Sequence, residues 1–145
     1  MATPDNPLTA RARQLGLSMV TSREVIPSTR RAHQAAEWAR QQGRFDAFHR
    51  AVLTRYWERG EDLHALSMLR AAAADAGLDG EALERELASG RWVAPLDAAL
   101  ASAHELGVTA VPTFILNDRL VIQGAQERRT FELALEQLGA SRKAS

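Results

Sequence analysis

Glycine divides the middle of this chain into lengths that suit helices. Gly43, Gly60, Gly77, Gly90 and Gly107 each follow a stretch whose apolar residues recur at three and four, the spacing that collects side chains on one helical face. Ser28 is the N-cap expected for the first of these helices, and Ala32, Ala35, Ala36 and Ala39 form its stripe of small residues, which lets a neighbouring helix approach closely. Phe45, Phe48, Val52 and Tyr56 follow as an aromatic stripe, then Leu66, Leu69, Ala73 and Ala76. Asp79 caps a shorter helix through Leu83 and Leu87, and Pro95 sits in the first turn of a longer one with Val93, Leu96, Leu100, Ala103 and Leu106 on one side. Five helices closed by glycine predict a helical bundle. Ahead of it, Asn6-Pro7 to Gly16 suits a short helix, Leu17 to Val20 is apolar, and Pro27 ends an irregular connection.

After Gly107 the pattern changes. Val111-Pro112-Thr113-Phe114-Ile115-Leu116 is rich in β-formers, Asn117-Asp118 punctuates it, and Leu120-Val121-Ile122 runs to Gly124. Two such runs around Asn-Asp predict a hairpin with positive φ in its turn. A last helix carries Phe131, Ala134, Leu135 and Leu138. Helices, a hairpin and one closing helix give an α+β or α/β outline.

Composition narrows the chemistry. The 145 residues suit one domain with a real core. They include 18 Lys or Arg against 18 Asp or Glu, so no cationic face is expected for nucleic acid. None is cysteine, which excludes disulfides, thiolate nucleophiles, redox dithiols, iron–sulfur clusters and thiolate-bound zinc from these residues. His33, His49, His64 and His104 lack the spacing of a helical metal site, and no glycine-rich phosphate loop follows a strand, so neither metal nor cofactor is expected. Trp38, Trp57 and Trp92 are expected to anchor helix packing. No apolar run approaches a membrane span, and Met1 to Pro7 lacks a secretory layout, which predicts a cytoplasmic protein.

Gly107-Val108-Thr109-Ala110-Val111-Pro112-Thr113-Phe114, the hairpin, and Ile122-Gln123-Gly124-Ala125-Gln126 together resemble the C-terminal half of DsbA-like thioredoxin-fold proteins. The FrnE-type subgroup is the nearest in pattern, with 2-hydroxychromene-2-carboxylate isomerases and kappa-class glutathione transferases further off. Ile26-Pro27-Ser28-Thr29-Arg30-Arg31-Ala32-His33 resembles their Pro-Asn-Thr-Arg segment with serine for asparagine. Gly43-Arg44-Phe45-Asp46-Ala47-Phe48-His49 and Ala76-Gly77-Leu78-Asp79 fit their helical insertion. The resemblance runs from about Leu15 to Leu138. It implies a thioredoxin-like α/β fold, truncated to its later part. Residues 1–27 would be the N-terminal helix and connection, 28–106 the helical insertion, and 107–139 the proline loop, hairpin and terminal helix, all within one domain.

The resemblance also implies function. Family members carry a Cys-x-x-Cys motif, or a serine in the isomerase and transferase relatives, on a segment that has no counterpart here, so no catalytic residue is assigned. The Val111-Pro112 bond is expected to be cis, with the Val111 backbone lining a substrate groove and Thr29 and Arg30 near the same face. An extended peptide or a glutathione-like molecule is the implied ligand. The expected role is a binding or assembly module without redox catalysis; the alternative is a subunit or truncated form of a protein disulfide oxidoreductase or glutathione-dependent isomerase or transferase, completed by a missing N-terminal segment. Thr113–Leu116 would have an open edge, for which a homodimer through that strand, or a chain supplying the missing half, is the expected remedy.

Overall fold

A computed structural model describes residues 7–20 and 27–140. The expectations on Met1 to Asn6, on the connection at 21–26 and on Ile26 lie outside the described residues. Seven α-helices and two strands follow in order: α1 Pro7–Gln14, α2 Arg30–Gln41, α3 Phe45–Leu53, α4 Leu66–Asp75, α5 Gly80–Ala88, α6 Val93–Glu105, β1 Thr113–Leu116, β2 Leu120–Gln123 and α7 Arg128–Gln137. They form two compact units, 1–97 and 98–145, whose boundary falls inside α6.

The first unit is held by a core from α2 to α5. Ala35, Ala39, Ala72 and Ala73 are fully buried beside Phe48, Leu69 and Leu83. Alanine permits close contact of α2 with α4 and α5, and the larger side chains fill what remains. Trp38 and Trp92 join this core, while Trp57 is half-buried. Among the described residues no polar or charged side chain is buried. Glycine closes the helices as expected. After α4 the Leu78 N–H reaches back to Ala73 O at 2.8 Å, a closure that needs the left-handed conformation seen at Gly77, φ 73°.

Three local expectations are corrected. First, α2 begins at Arg30, with Thr29 rather than Ser28 at its N-cap and no side chain capping it; Ser28 and Thr29 are both exposed, so a start one residue earlier buries nothing more. Second, the aromatic stripe does not stay on one α-helix, because Thr54–Glu58 is a π-helical segment. That wider turn sets Arg55 between Asp75 on α4, at 2.8 Å, and Glu61, at 3.0 Å. Third, the apolar side of α6 is not core. Only Leu96 is buried, and Val93, Leu100 and Leu106 stay exposed. Asp79, by contrast, caps α5 as expected, accepting from the Glu81 N–H at 2.8 Å.

The second unit is built on the hairpin. β1 and β2 are antiparallel, with Phe114 opposite Ile122 and Leu116 opposite Leu120. Asn117 and Asp118 turn with φ of 54° and 53°, and the Arg119 N–H closes the turn onto Leu116 O at 3.1 Å. Phe131 of α7 meets Phe114 edge-on, with ring centroids 4.9 Å apart. Little else is covered: α7 has no buried residue, and in the hairpin only Ile122 is buried.

Candidate functional site

The loop between α6 and β1 is the candidate. Gly107 ends α6 with φ 74°, and the Val108 N–H reaches Ala103 O at 3.0 Å, so the chain reverses at once. The Val111-Pro112 bond that follows is cis, as the resemblance implied. Thr113 Oγ1 donates to Ala110 O at 2.6 Å across the proline. On the far side the Gly124 N–H donates to Pro112 O at 2.7 Å, which joins the loop to the end of β2.

This last bond fixes which way the backbone faces. In an antiparallel ladder, bonded and non-bonded pairs alternate. With Pro112 opposite Gly124 as a bonded position, Phe114 and Leu116 bond toward β2, and Thr113 and Ile115 turn their N–H and C=O groups to the outer edge. Val111 precedes them and is 88 % exposed. Its backbone groups make no hydrogen bond among the described residues. The segment from Val111 to Ile115 thus presents a short run of open backbone donors and acceptors.

Gln123, at the end of β2, braces the loop from within. Its Nε2 donates to Gly107 O at 2.9 Å, and its Oε1 accepts from Thr109 Oγ1 at 3.3 Å. Gln126 Nε2 donates to Gln123 O at 2.9 Å. Sequence reasoning assigned no role to Thr109 or Gln123. The available signal was a long amide at the end of an otherwise apolar strand.

Thr29 and Arg30 belong to the first unit, and Val111 and Pro112 to the second. Thr29 is exposed, and its carbonyl accepts from the His33 N–H at 3.0 Å. Arg30 pairs with Asp97, both half-exposed. Surface pairs of this kind contribute little.

The perturbed ionisable groups lie elsewhere. Hydrogen bonding by Arg55 holds the Asp75 carboxyl below its ordinary range, and that bond in turn raises the Arg55 guanidinium above its own. The Glu81 and Ala82 N–H groups likewise hold Asp79 low. Both are structural tethers. Among the described residues no cluster of three His, Asp or Glu is arranged to hold a metal, and no helix is long and apolar enough to cross a membrane.

A cis-proline loop opening onto an antiparallel hairpin, with a helix packed on it and a helical bundle before it, defines a thioredoxin-like protein with a helical insertion. The chain belongs to the DSBA-like thioredoxin domain family, which matches residues 5–136. It is similar to a probable DsbA oxidoreductase from Streptomyces coelicolor, with 29 % identity and a TM-score of 0.74 over 95 % of this chain and 60 % of that one. A 2-hydroxychromene-2-carboxylate isomerase shares the fold at 23 % identity and a TM-score of 0.71, over 91 % of this chain and 64 % of that one. The uncharacterized protein YwbO of Bacillus subtilis (strain 168) is 28 % identical over 110 residues, 75 % of this chain and 54 % of that protein. The chain therefore spans between half and two thirds of the proteins it resembles.

Proposed function

We propose that this chain is a binding or assembly module on the DsbA-like fold, whose Val111–Ile115 edge takes an extended backbone strand. The carrying observation is Val111, 88 % exposed with its N–H and C=O making no hydrogen bond among the described residues. Disulfide exchange needs an attacking thiolate, and these residues contain no cysteine. Open backbone groups next to a strand edge instead suit strand addition. A second copy of the chain is the occupant that the edge fits best. β1 reads Thr-Phe-Ile-Leu and carries none of the charged residues that discourage edge pairing. About a two-fold axis at Phe114, Thr113 of one copy faces Ile115 of the other, so that the outward backbone groups of both meet and give a four-stranded sheet. A cytoplasmic setting is part of this proposal, and cell fractionation checks it.

Light scattering on size-exclusion chromatography tests the pairing. The wild type is expected as a dimer. Ile115→Pro removes an outward N–H while sparing the bonds to β2, and it is expected to be monomeric with circular dichroism unchanged. A monomeric wild type at high concentration would overturn the second copy as occupant. Amide shifts at Val111 on titration with glutathione would then identify a small extended ligand as the occupant.

A second function is favoured by the coverage of the relatives. The chain matches 60 % of a protein described as a probable DsbA oxidoreductase, so a thiol-bearing segment, joined to this chain or supplied as a partner, would make it part of a disulfide oxidoreductase, and a serine-bearing one part of a glutathione-dependent isomerase or transferase. The DNA immediately upstream discriminates: a Cys-x-x-Cys segment encoded there favours this function, and its absence favours the module.

A further inference from the structure

We propose that Gln123 is a positioning residue for the Val111 edge: its carboxamide holds the loop shut on β2, so that the Val111 backbone is offered in one orientation. This inference rests on the reading of that edge as a binding edge.

Packing cannot fix the loop. Thr109, Ala110, Val111 and Pro112 are all exposed, so no buried side chain pins them. What remains is hydrogen bonding, and Gln123 provides the two side-chain bonds that span from β2 to the loop's beginning, to Gly107 O at 2.9 Å and to Thr109 Oγ1 at 3.3 Å. The orientation of the amide is chemically determined. A carbonyl such as Gly107 O only accepts, so it requires the Nε2 face, and the Thr109 hydroxyl is left to donate to Oε1. The far end of the loop is closed separately by the Gly124 N–H on Pro112 O. With both ends tied, Val111 lies in a short arch between fixed points. Gln123 is itself held by Gln126, whose Nε2 reaches Gln123 O. A preorganised edge binds a strand more tightly because less ordering remains to be done on association.

The test is backbone 15N relaxation on the full chain, read beside its self-association. In the wild type, the order parameters of Ala110 and Val111 are expected near 0.85, the value of rigid backbone. In Gln123→Ala they are expected to fall below about 0.6, with self-association weakened by about tenfold. Gln123→Glu keeps the acceptor for Thr109 and loses the donor for Gly107. It is expected to free Gly107 and Val108 more than Thr109, a pattern that general loosening of the hairpin would not give. The wild-type Gln123 Nε2 protons should also show a through-bond coupling to the Gly107 carbonyl. Thr109→Val, which leaves both strands untouched, guards against a Gln123 variant that fails to fold, and it is expected to lower the Thr109 and Ala110 values. Unchanged order parameters in Gln123→Ala and Thr109→Val would overturn the proposal, as would a mobile loop with association unaffected. If the wild type neither associates nor takes up glutathione, the binding reading fails, and the relaxation data still decide whether Gln123 orders the loop.

Discussion

The two units use similar apolar residues and bury them very differently. In the first, Phe48, Leu69 and Leu83 are fully enclosed and alanine stripes bring the helices into contact. In the second, Val111, Phe114, Ile115, Val121, Leu133 and Leu135 are between 39 % and 88 % exposed. A hairpin alone is marginal in water, and this one has one aromatic contact and one buried isoleucine to support it. The lesson is that the chain divides its apolar surface unevenly: the bundle covers its own, and the hairpin leaves apolar side chains and backbone groups uncovered.

The sharpest way to break that contrast is to cut into each unit equally. Phe48→Ala is expected to cost about 3–5 kcal/mol in denaturant unfolding, because a fully buried aromatic is removed. Ile115→Ala, already 40 % exposed, is expected to cost about 1 kcal/mol or less. Equal losses would show that the hairpin has a core of its own. Native-state hydrogen exchange should agree, with α4 amides protected far longer than those of β1.

Next in size is Gly80→Ala. A Cβ there would lie 3.1 Å from the Arg70 carbonyl oxygen, so α4 and α5 must part, at about 1–3 kcal/mol of thermal or chemical stability. The hairpin resonances should not move in the same variant.

A smaller effect concerns acid. Asp75 and Asp79 titrate lower in the folded chain than unfolded. Their contribution is therefore complete above the ordinary carboxylate range near about pH 4, shrinks below it, and is gone once the pH falls through the folded values. Thermal melts from pH 6 to 2 should show the first unit weakening in that window. Asp75→Asn should flatten the slope, since the Arg55 hydrogen bond sets the shift. The smallest effect is a gain. Asp118→Gly relieves a positive φ in the turn and should stabilise the hairpin by up to about 1 kcal/mol, seen as slower exchange in β1 and β2 alone.

Much of this was readable from residues. The glycine stops, the Asp79 cap and the Asn117-Asp118 turn were legible because each rests on local stereochemistry, and the cis Pro112 because the residues around it resemble the family's loop. The π-helical turn was not: the Arg55 that it carries meets Asp75, 20 residues away, and no local spacing announces that pair. The exposed side of α6 was equally hidden: periodicity shows that Val93 and Leu100 share a face, and says nothing about whether a partner covers it. The same limit applies to the site. Val111 and Pro112 could be named from the resemblance, whereas Gln123 acts through Gly107, 16 residues earlier, a distance at which sequence spacing carries no signal.

One consequence follows from where the aromatic residues stand. Trp38, Trp57 and Trp92 and the single tyrosine, Tyr56, all lie in the first unit, and the second has only Phe114 and Phe131. In the near ultraviolet, then, the protein is half dark. An intrinsic fluorescence melt follows the bundle, and a strand docking along Val111–Ile115 has no indole of its own unit to perturb. A tryptophan at position 121, beside Ile115 on the ladder, would give the silent unit a signal of its own.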